Sequence, residues 1–265
     1  MKKIIALGGA GHIGSCGVRE LVKRAPEIEV VIADYDLEKA QMLVAEVGGK
    51  ASAAQIDATD FKSLVQLIKG AEVVVSTVGP YYRFGEQVVK AAIAAKTPVV
   101  DICDDGDATE QILALDGEAK KAGISVIVGM GCTPGITNLM AKRGADKLDS
   151  VDDIDTSWGW TSIDPKMTGS AIIEHYFHAV TGEIITYRDG KWIKIPACSN
   201  PKSIEFIQPI GSLEIPEVGH PEPVTLPRYI KGVKNVTNRG GVWPKGFNDV
   251  AGIFIKLGLA ETKEM

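Results

Sequence analysis

The strongest constraint on this chain lies at its start. Ile4-Ile5-Ala6-Leu7 is a short apolar run that enters a glycine cluster, Gly8-Gly9-Ala10-Gly11-His12-Ile13-Gly14. The segment from Ser15 to Lys23 leaves that cluster with an amphipathic pattern. Gly9, Gly11 and Gly14 have G-x-G-x-x-G spacing between a strand and a helix. One glycine of such a set makes the tight turn, one lets a pyrophosphate approach bare backbone, and one lets the helix pack closely on the strand. The helix start then presents free N–H groups and a positive dipole end to the phosphates. Val30-Val31-Ile32-Ala33-Asp34 reads as a second strand ending in an acid, 20 residues after Gly14. There a carboxylate accepts hydrogen bonds from an adenosine ribose. The plainer alternative is a glycine-rich β–α turn that binds nothing.

From residue 1 to about 130 two signals alternate. Apolar runs occur at Ile4–Leu7, Val30–Ala33, Ala53–Ile56, Val73–Ser76, Val99–Ile102 and Ser125–Val128. Helix-like segments separate them, including Leu37–Val47, Phe61–Leu67, Gly85–Ala95 and Thr109–Lys121. Near-continuous apolar strands alternating with helices predict a Rossmann-type α/β domain, a doubly wound parallel sheet covered on both faces. Ligands of such sheets sit outside the C-terminal strand ends, so the residues just after each strand are the ones to inspect.

After the third strand, Asp57 is placed to border an adenine and Asp60 to cap a helix. After the fourth comes Ser76-Thr77-Val78-Gly79-Pro80-Tyr81-Tyr82-Arg83, whose small residues and prolyl turn suit close backbone approach beneath the nicotinamide half of a dinucleotide. Tyr81, Tyr82 and Arg83 then project towards the reacting group, or are surface aromatics and a solvated cation. After the fifth, Asp107 and Glu110 read as a capping box. Asp104 and Asp105 stand at the strand mouth, to meet a cationic amine or to form a solvated loop. After the sixth, Pro134 opens a helical segment over Ile136–Lys147, whose exposed start suits a substrate carboxylate. Cys132 has no assignable base and reads as a small buried residue rather than a nucleophile.

Beyond about Asp149 the pattern becomes that of an α+β domain with antiparallel pairing. The expected division is 1–148 for the dinucleotide-binding domain and 149–265 for a substrate and dimerisation domain. Asp153–Trp160 and Glu183–Tyr187 read as strands, and Asp189-Gly190 as a hairpin turn leading into Lys191–Ile195. Gly169–Ala179 reads as a helix. From Pro196 to Pro244 prolines punctuate short extended pieces. His175 and His178 lie three apart on the helix, with no acidic or cysteine partner at fixed spacing, so no metal site is expected from them.

The 265 residues are 45% hydrophobic, which provides a sizeable core. A net charge of −5 with no basic stripe argues against a nucleic-acid partner. The cysteines Cys16, Cys103, Cys132 and Cys198 lack C-x-x-C spacing and read as reduced thiols of a cytoplasmic protein. The apolar start breaks at Gly8 with no cleavage site after it, and no run has the length of a membrane span.

The glycines also fit Gly8-x-x-Gly11-x-x-Gly14, the spacing of extended short-chain reductases and epimerases. That class needs a Tyr-x-x-x-Lys pair on a helix, and Tyr187 with Lys191 instead flanks a predicted hairpin turn. Other stretches weigh more. Val78-Gly79-Pro80-Tyr81-Tyr82-Arg83-Phe84-Gly85, then Val88-Val89-Lys90-Ala91-Ala92-Ile93, Val100-Asp101 and Gly131-Cys132-Thr133-Pro134-Gly135-Ile136-Thr137-Asn138 resemble the saccharopine dehydrogenase family, in its L-lysine 6-dehydrogenase-like branch.

The resemblance implies an NAD(P)-dependent oxidoreductase that oxidises an amino-acid amine or runs the reverse reductive amination, with NAD as the cofactor (NADP not excluded). It implies cofactor contacts at Gly9, Gly11, His12, Ile13, Gly14, Asp34, Asp57, Ser76, Thr77, Val78, Gly79 and Pro80. Tyr82, Thr133, Pro134 and Asn138 are the expected substrate contacts, and Asp104 and Tyr81 the expected acid–base residues. A homodimer acting on a small amino acid or amine is also implied. Two departures stand out. The family's turn has Asp or Ala where Thr133 stands, and relatives continue well past the helix ending near Leu259. The sequence is therefore read as a shortened form, either a fragment or a naturally short chain. A non-catalytic dinucleotide sensor is the remaining alternative.

Overall fold

In the computed structural model, residues 2–161, 170–244 and 246–259 are described. They form two compact units, one of residues 1–103 and 108–130, the other of residues 104–107 and 131–265.

The first unit contains β1 (Lys3–Leu7), α1 (His12–Arg24), β2 (Glu29–Asp34), α2 (Leu37–Val47), β3 (Ala51–Gln55), α3 (Phe61–Ile68), β4 (Val73–Ser76), α4 (Tyr81–Ala95), β5 (Val99–Asp101), α5 (Gly106–Ala114), α6 (Asp116–Ala122) and β6 (Val126–Ile127). The first two residues of α5 group with the second unit. All pairings in the sheet are parallel, in the order β3-β2-β1-β4-β5-β6. The order reverses between β1 and β4, which is the position where doubly wound sheets bind ligands. Alternate residues of one strand supply opposite faces. Ile5 and Leu7 pack with Val74, Val88 and Ile112, while Ala6 packs with Val18, Ile32 and Leu43. Both faces are thereby buried, which is why the strands read as continuous apolar runs.

Helix starts follow their capping chemistry. Asp36 accepts a hydrogen bond from the Lys39 N–H at α2, and Asp60 accepts from Lys62 and Ser63 at α3. Two expectations shift. Helix α4 begins at Tyr81 rather than Gly85, with Pro80 as its N-cap. The expected single helix over Thr109–Lys121 is two, α5 and α6, and Asp107 lies inside the first turn of α5 rather than capping it.

The second unit contains α7 (Ile136–Ala145), β7 (Asp153–Trp160), α8 (Ser170–Ala179), β8 (Glu183–Arg188), β9 (Lys191–Pro196), β10 (Ser199–Glu205), β11 (Ser212–Glu217), α9 (Glu222–Tyr229), β12 (Asn235–Val242) and α10 (Gly246–Lys256). Its sheet runs β10-β11-β12-β8-β9, and β7 pairs with β12. The pairings are antiparallel as expected, except for β7 with β12, which is parallel over eight residues. Leu226, Ile230, Val233 and Val236 form a core beneath α9. A buried carboxylate, Glu217, joins the strands by accepting from Arg188 at 2.6 Å, Asn200 at 3.1 Å and Arg239 at 3.3 Å. Among the described residues no helix is long and apolar enough to cross a membrane.

Candidate functional site

The glycine turn between β1 and α1 is held by its neighbours on both sides. Gly8, at φ +68°, donates its N–H to the Ala33 carbonyl of β2 at 2.8 Å. The Thr77 hydroxyl, at the end of β4, donates to the Leu7 and Gly8 carbonyls at 3.0 Å. A Cβ on Gly14 would lie 2.2 Å from the Gly8 carbonyl oxygen and 2.6 Å from the Thr77 hydroxyl. Gly14 is therefore where α1 touches the turn. The N-cap of α1 is Gly11, which has no side chain with which to satisfy the helix's first N–H groups. Asp34, at the end of β2, accepts the Ala10 N–H at 3.0 Å through one oxygen and the Asp36 N–H at 3.2 Å through the other. An ionised carboxylate has about four acceptor sites, so Asp34 retains capacity for ribose hydroxyls. Bare amides, a cradle that any Cβ would fill and an acid beside them are together the features a dinucleotide needs.

The structure thus brings together Gly9, Gly11, His12, Ile13, Gly14, Asp34 and Thr77. Ile13 is exposed on the first turn of α1 and His12 half-buried beside it. Ser76 is buried at the end of β4, and Val78 packs on the core of the unit. Gly79 and Pro80 lead into α4. Tyr81 packs against the same core, and the Arg83 guanidinium lies over the Tyr82 ring at 5.6 Å. Asp57, after β3, accepts from the Thr59 N–H and hydroxyl, which holds its carboxyl below the usual range.

Asp104 belongs to the second unit, in a cluster of three histidines and four carboxylates. His175, on α8, has Nδ1 2.7 Å from Asp105, which is wholly buried, and 3.3 Å from Asp104. His220 has Nδ1 2.6 Å from Glu222, and both are buried. His178, one turn beyond His175, meets Asp107 at 3.0 Å. Gly106 permits this assembly, because a Cβ there would come within 3.0 Å of the His220 carbonyl oxygen.

Glu222 begins α9, and its other oxygen accepts from the hydroxyls of Thr133 at 2.6 Å and Thr137 at 2.9 Å. The Asn138 amide donates to Thr225 at 3.0 Å, and Pro134 is buried in the same turn. The Thr133 hydroxyl and the Asn138 amide N–H are therefore engaged with α9, while Asn138 Oδ1 is buried with no hydrogen-bond partner among the described residues. Cys132 is exposed rather than buried.

Burial works to raise the Glu222 carboxyl, but His220 and the two threonine hydroxyls overcome it and hold it at about 2. Burial works to lower His175, yet Asp104 and Asp105 hold it raised, at about 9. Asp104 is pushed up by desolvation, against the pull of both imidazoles. His220 was missed in the sequence because its partners lie 45 and 116 residues earlier, at His175 and Asp104. Only the His-x-Glu pairing of His220 with Glu222 was locally visible.

Hairpin register removes the alternative acid–base pair. Tyr187 pairs with Trp192, and Arg188 with Lys191. Successive side chains alternate across a strand, so Tyr187 and Lys191 face opposite sides of the sheet. The Tyr187 ring stacks edge-on against Trp192 instead.

The first unit is by its topology and its turn a dinucleotide-binding α/β domain of the kind found in NAD(P)-dependent oxidoreductases. Residues 4–127 match the family model for the saccharopine dehydrogenase NADP binding domain, so this domain is similar to that of the saccharopine dehydrogenases. Over 148 residues it is 33% identical to the L-glutamate-forming, NADP(+) saccharopine dehydrogenase of Saccharomyces cerevisiae, covering 56% of this chain and 31% of the yeast protein. Over 145 residues it is 25% identical to the saccharopine dehydrogenase-like oxidoreductase of Rattus norvegicus, covering 49% of this chain and 34% of that protein. The matched stretches thus span about a third of these curated relatives. The fold as a whole matches the apo L-Glu-forming saccharopine dehydrogenase structure from Saccharomyces cerevisiae, with a TM-score of 0.70 and 24% identity, over 98% of this chain and 59% of that one.

Proposed function

We propose that the protein is an NAD(P)-dependent dehydrogenase acting on the CH–NH or CH–NH2 group of an amino acid, with NAD as the preferred dinucleotide. The observation that carries this reading is the turn itself: free α1 amides, no Cβ at Gly14, and Asp34 beside them. When bound, the cofactor supplies the hydride acceptor at nicotinamide C4, and the residues of the chain orient the partners and manage the proton. In this reading Gly9, Gly11 and Gly14 seat the diphosphate and Asp34 takes the ribose hydroxyls. The Ser76–Pro80 segment lies along the nicotinamide half. A carboxylate at Asp34 repels a 2′-phosphate, which favours NAD even though the family model carries NADP in its description.

The amine must be neutral before hydride leaves it, and Tyr81 and Asp104 are the two residues proposed to accept its proton. Tyr82, Thr133, Pro134 and Asn138 shape the substrate region, the last three through α9. The lysine-type substrate, a cytoplasmic location and a homodimer belong to the same proposal. The four cysteines, all free, fit a reducing compartment.

The experiment is a fluorescence titration with NADH and NADPH, followed by a screen of lysine, saccharopine and related amines for NADH production. Micromolar NADH binding, NADPH binding at least about 10-fold weaker and turnover of one amine support the reading. Tight NADH binding with no turnover on any amine would establish the sensor instead.

A further inference from the structure

We propose that Asp104, His175 and His220 form a binding site for a divalent transition-metal ion of the zinc class. One ligating atom from each lies within 4.8 Å of the other two. Two imidazoles and a carboxylate are a donor set that zinc takes with a fourth position left open.

Proximity alone would not carry this, and two further observations do. The first is the way the rings are held. Nδ1 of His175 is tied to Asp105, and Nδ1 of His220 to Glu222, both carboxylates wholly buried. Glu222 accepts two threonine hydroxyls as well, so it is ionised and the His220 ring must be the donor in their contact. A carboxylate that takes one ring N–H fixes the tautomer and leaves the other nitrogen as a lone pair, the arrangement found behind metal-bound histidines. Neither Nε2 forms a hydrogen bond with a described residue. An imidazolium leaves that second N–H donor without an acceptor, and a cation binding there displaces this proton and takes the nitrogen's lone pair.

The second observation is Asp104 itself. Its Oδ1 is inaccessible to solvent and accepts no hydrogen bond from a described residue; His175 Nδ1 lies 3.3 Å away but is taken by Asp105 at 2.7 Å. A buried carboxylate oxygen in that state is costly unless a cation meets it. Asp104 also retains the freedom to close on an ion, because its side chain as a whole is 31% exposed. Tetrahedral zinc ligands stand about 3.3 Å apart, so the three groups close by at most about 1.5 Å to share an ion.

The inference does not depend on the hydride-transfer reading. With a metal in place Asp104 is a ligand, and Tyr81 alone remains to take the amine proton.

The test uses the full chain, stripped with a chelator and free of dinucleotide, titrated with Co2+ and then with competing Zn2+. We expect one equivalent of Co2+, intense visible d–d bands and their loss on adding Zn2+. Asp104→Asn and His220→Ala each weaken Co2+ by about 100-fold or more, and Glu222→Gln by about 10–100-fold with the band shape retained. His178→Ala, which removes an imidazole that meets Asp107 and contributes no atom to the proposed ligand set, binds as the unmodified chain does. Circular dichroism of each metal-free variant reports folding. The nearly isosteric Asp104→Asn keeps the test decisive if His220→Ala does not fold. Absence of d–d bands at millimolar Co2+, or bands that persist in Asp104→Asn, overturns the proposal and leaves a proton-sharing network of imidazoles and carboxylates.

Discussion

Gly14→Ala is the sharpest test of how the nucleotide turn is built. The added Cβ would sit 2.2 Å from the Gly8 carbonyl oxygen and 2.6 Å from the Thr77 hydroxyl, where real Cβ contacts essentially never fall below 3.0 Å. Helix α1 or the turn must therefore retreat by about 0.8 Å, and the hydroxyl cannot yield freely because it bonds the Leu7 and Gly8 carbonyls. Overpacking of this kind costs about 1–3 kcal/mol, or about 2–4 °C of unfolding midpoint for each of those kcal/mol. The same retreat moves the α1 amides off the diphosphate, so NADH affinity is expected to fall at least about 10-fold. Gly17, three residues further along α1, supplies the control. It is exposed and a Cβ there meets nothing within 4 Å, so Gly17→Ala gains about 0.5–1 kcal/mol with NADH binding intact. Thermal unfolding and NADH fluorescence on both variants decide the matter. A Gly14→Ala protein with unchanged midpoint and affinity would refute the close-packing argument.

Other expectations concern separate contacts. Asp34→Ala weakens NADH relative to NADPH in the same fluorescence titration, since it removes the ribose acceptor and the repulsion of a 2′-phosphate together. Glu217→Ala removes the carboxylate that Arg188 and Arg239 share, leaving Arg239 with Asp155 and the Asn200 carbonyl, and lowers stability by about 3 kcal/mol in urea unfolding. Burial alone would lower the His178 pKa, but Asp107 overcomes it and raises it, so its NMR titration midpoint lies above that of a free histidine. The stabilising contribution of this pair is complete below the unfolded histidine pKa and disappears as pH rises through the folded one; Asp107→Asn abolishes the shift. Tyr187→Phe and Lys191→Met leave oxidoreductase activity unchanged, because the two side chains face opposite sides of their hairpin.

Much of the first unit was legible because its strands are buried on both sides and its helices carry local caps. Asp60 announced α3 by chemistry confined to four residues. Where several local signals competed, reading failed. Tyr81-Tyr82-Arg83-Phe84 follows a proline and looks like loop, yet Pro80 is the N-cap of α4. Helix α9 carries Pro223 and Pro227, and those breakers hid it among extended pieces. Pro223, in the first turn, costs nothing, since no intrahelical acceptor awaits its N–H there, whereas Pro227 lies inside the helix.

The candidate site divides in the same way. The glycine turn and Asp34 are written within 27 residues. By contrast, the histidine–carboxylate cluster draws on a strand exit, three helices and the loop before α9, and no spacing rule connects them. Asp105 shows the cost of local reading. Taken alone it suits a solvated loop as well as a site, yet it is wholly buried and meets His175 at 2.7 Å.

One consequence follows from residues 104–107 grouping with the second unit although their chain neighbours on both sides group with the first. A cut between Met130 and Gly131 produces two pieces, neither of which holds a complete set of Asp104, His175 and His220. Fragments expressed apart would each be deficient, and the cluster would return only on recombining them. Loss and recovery of that centre thus measures fragment complementation.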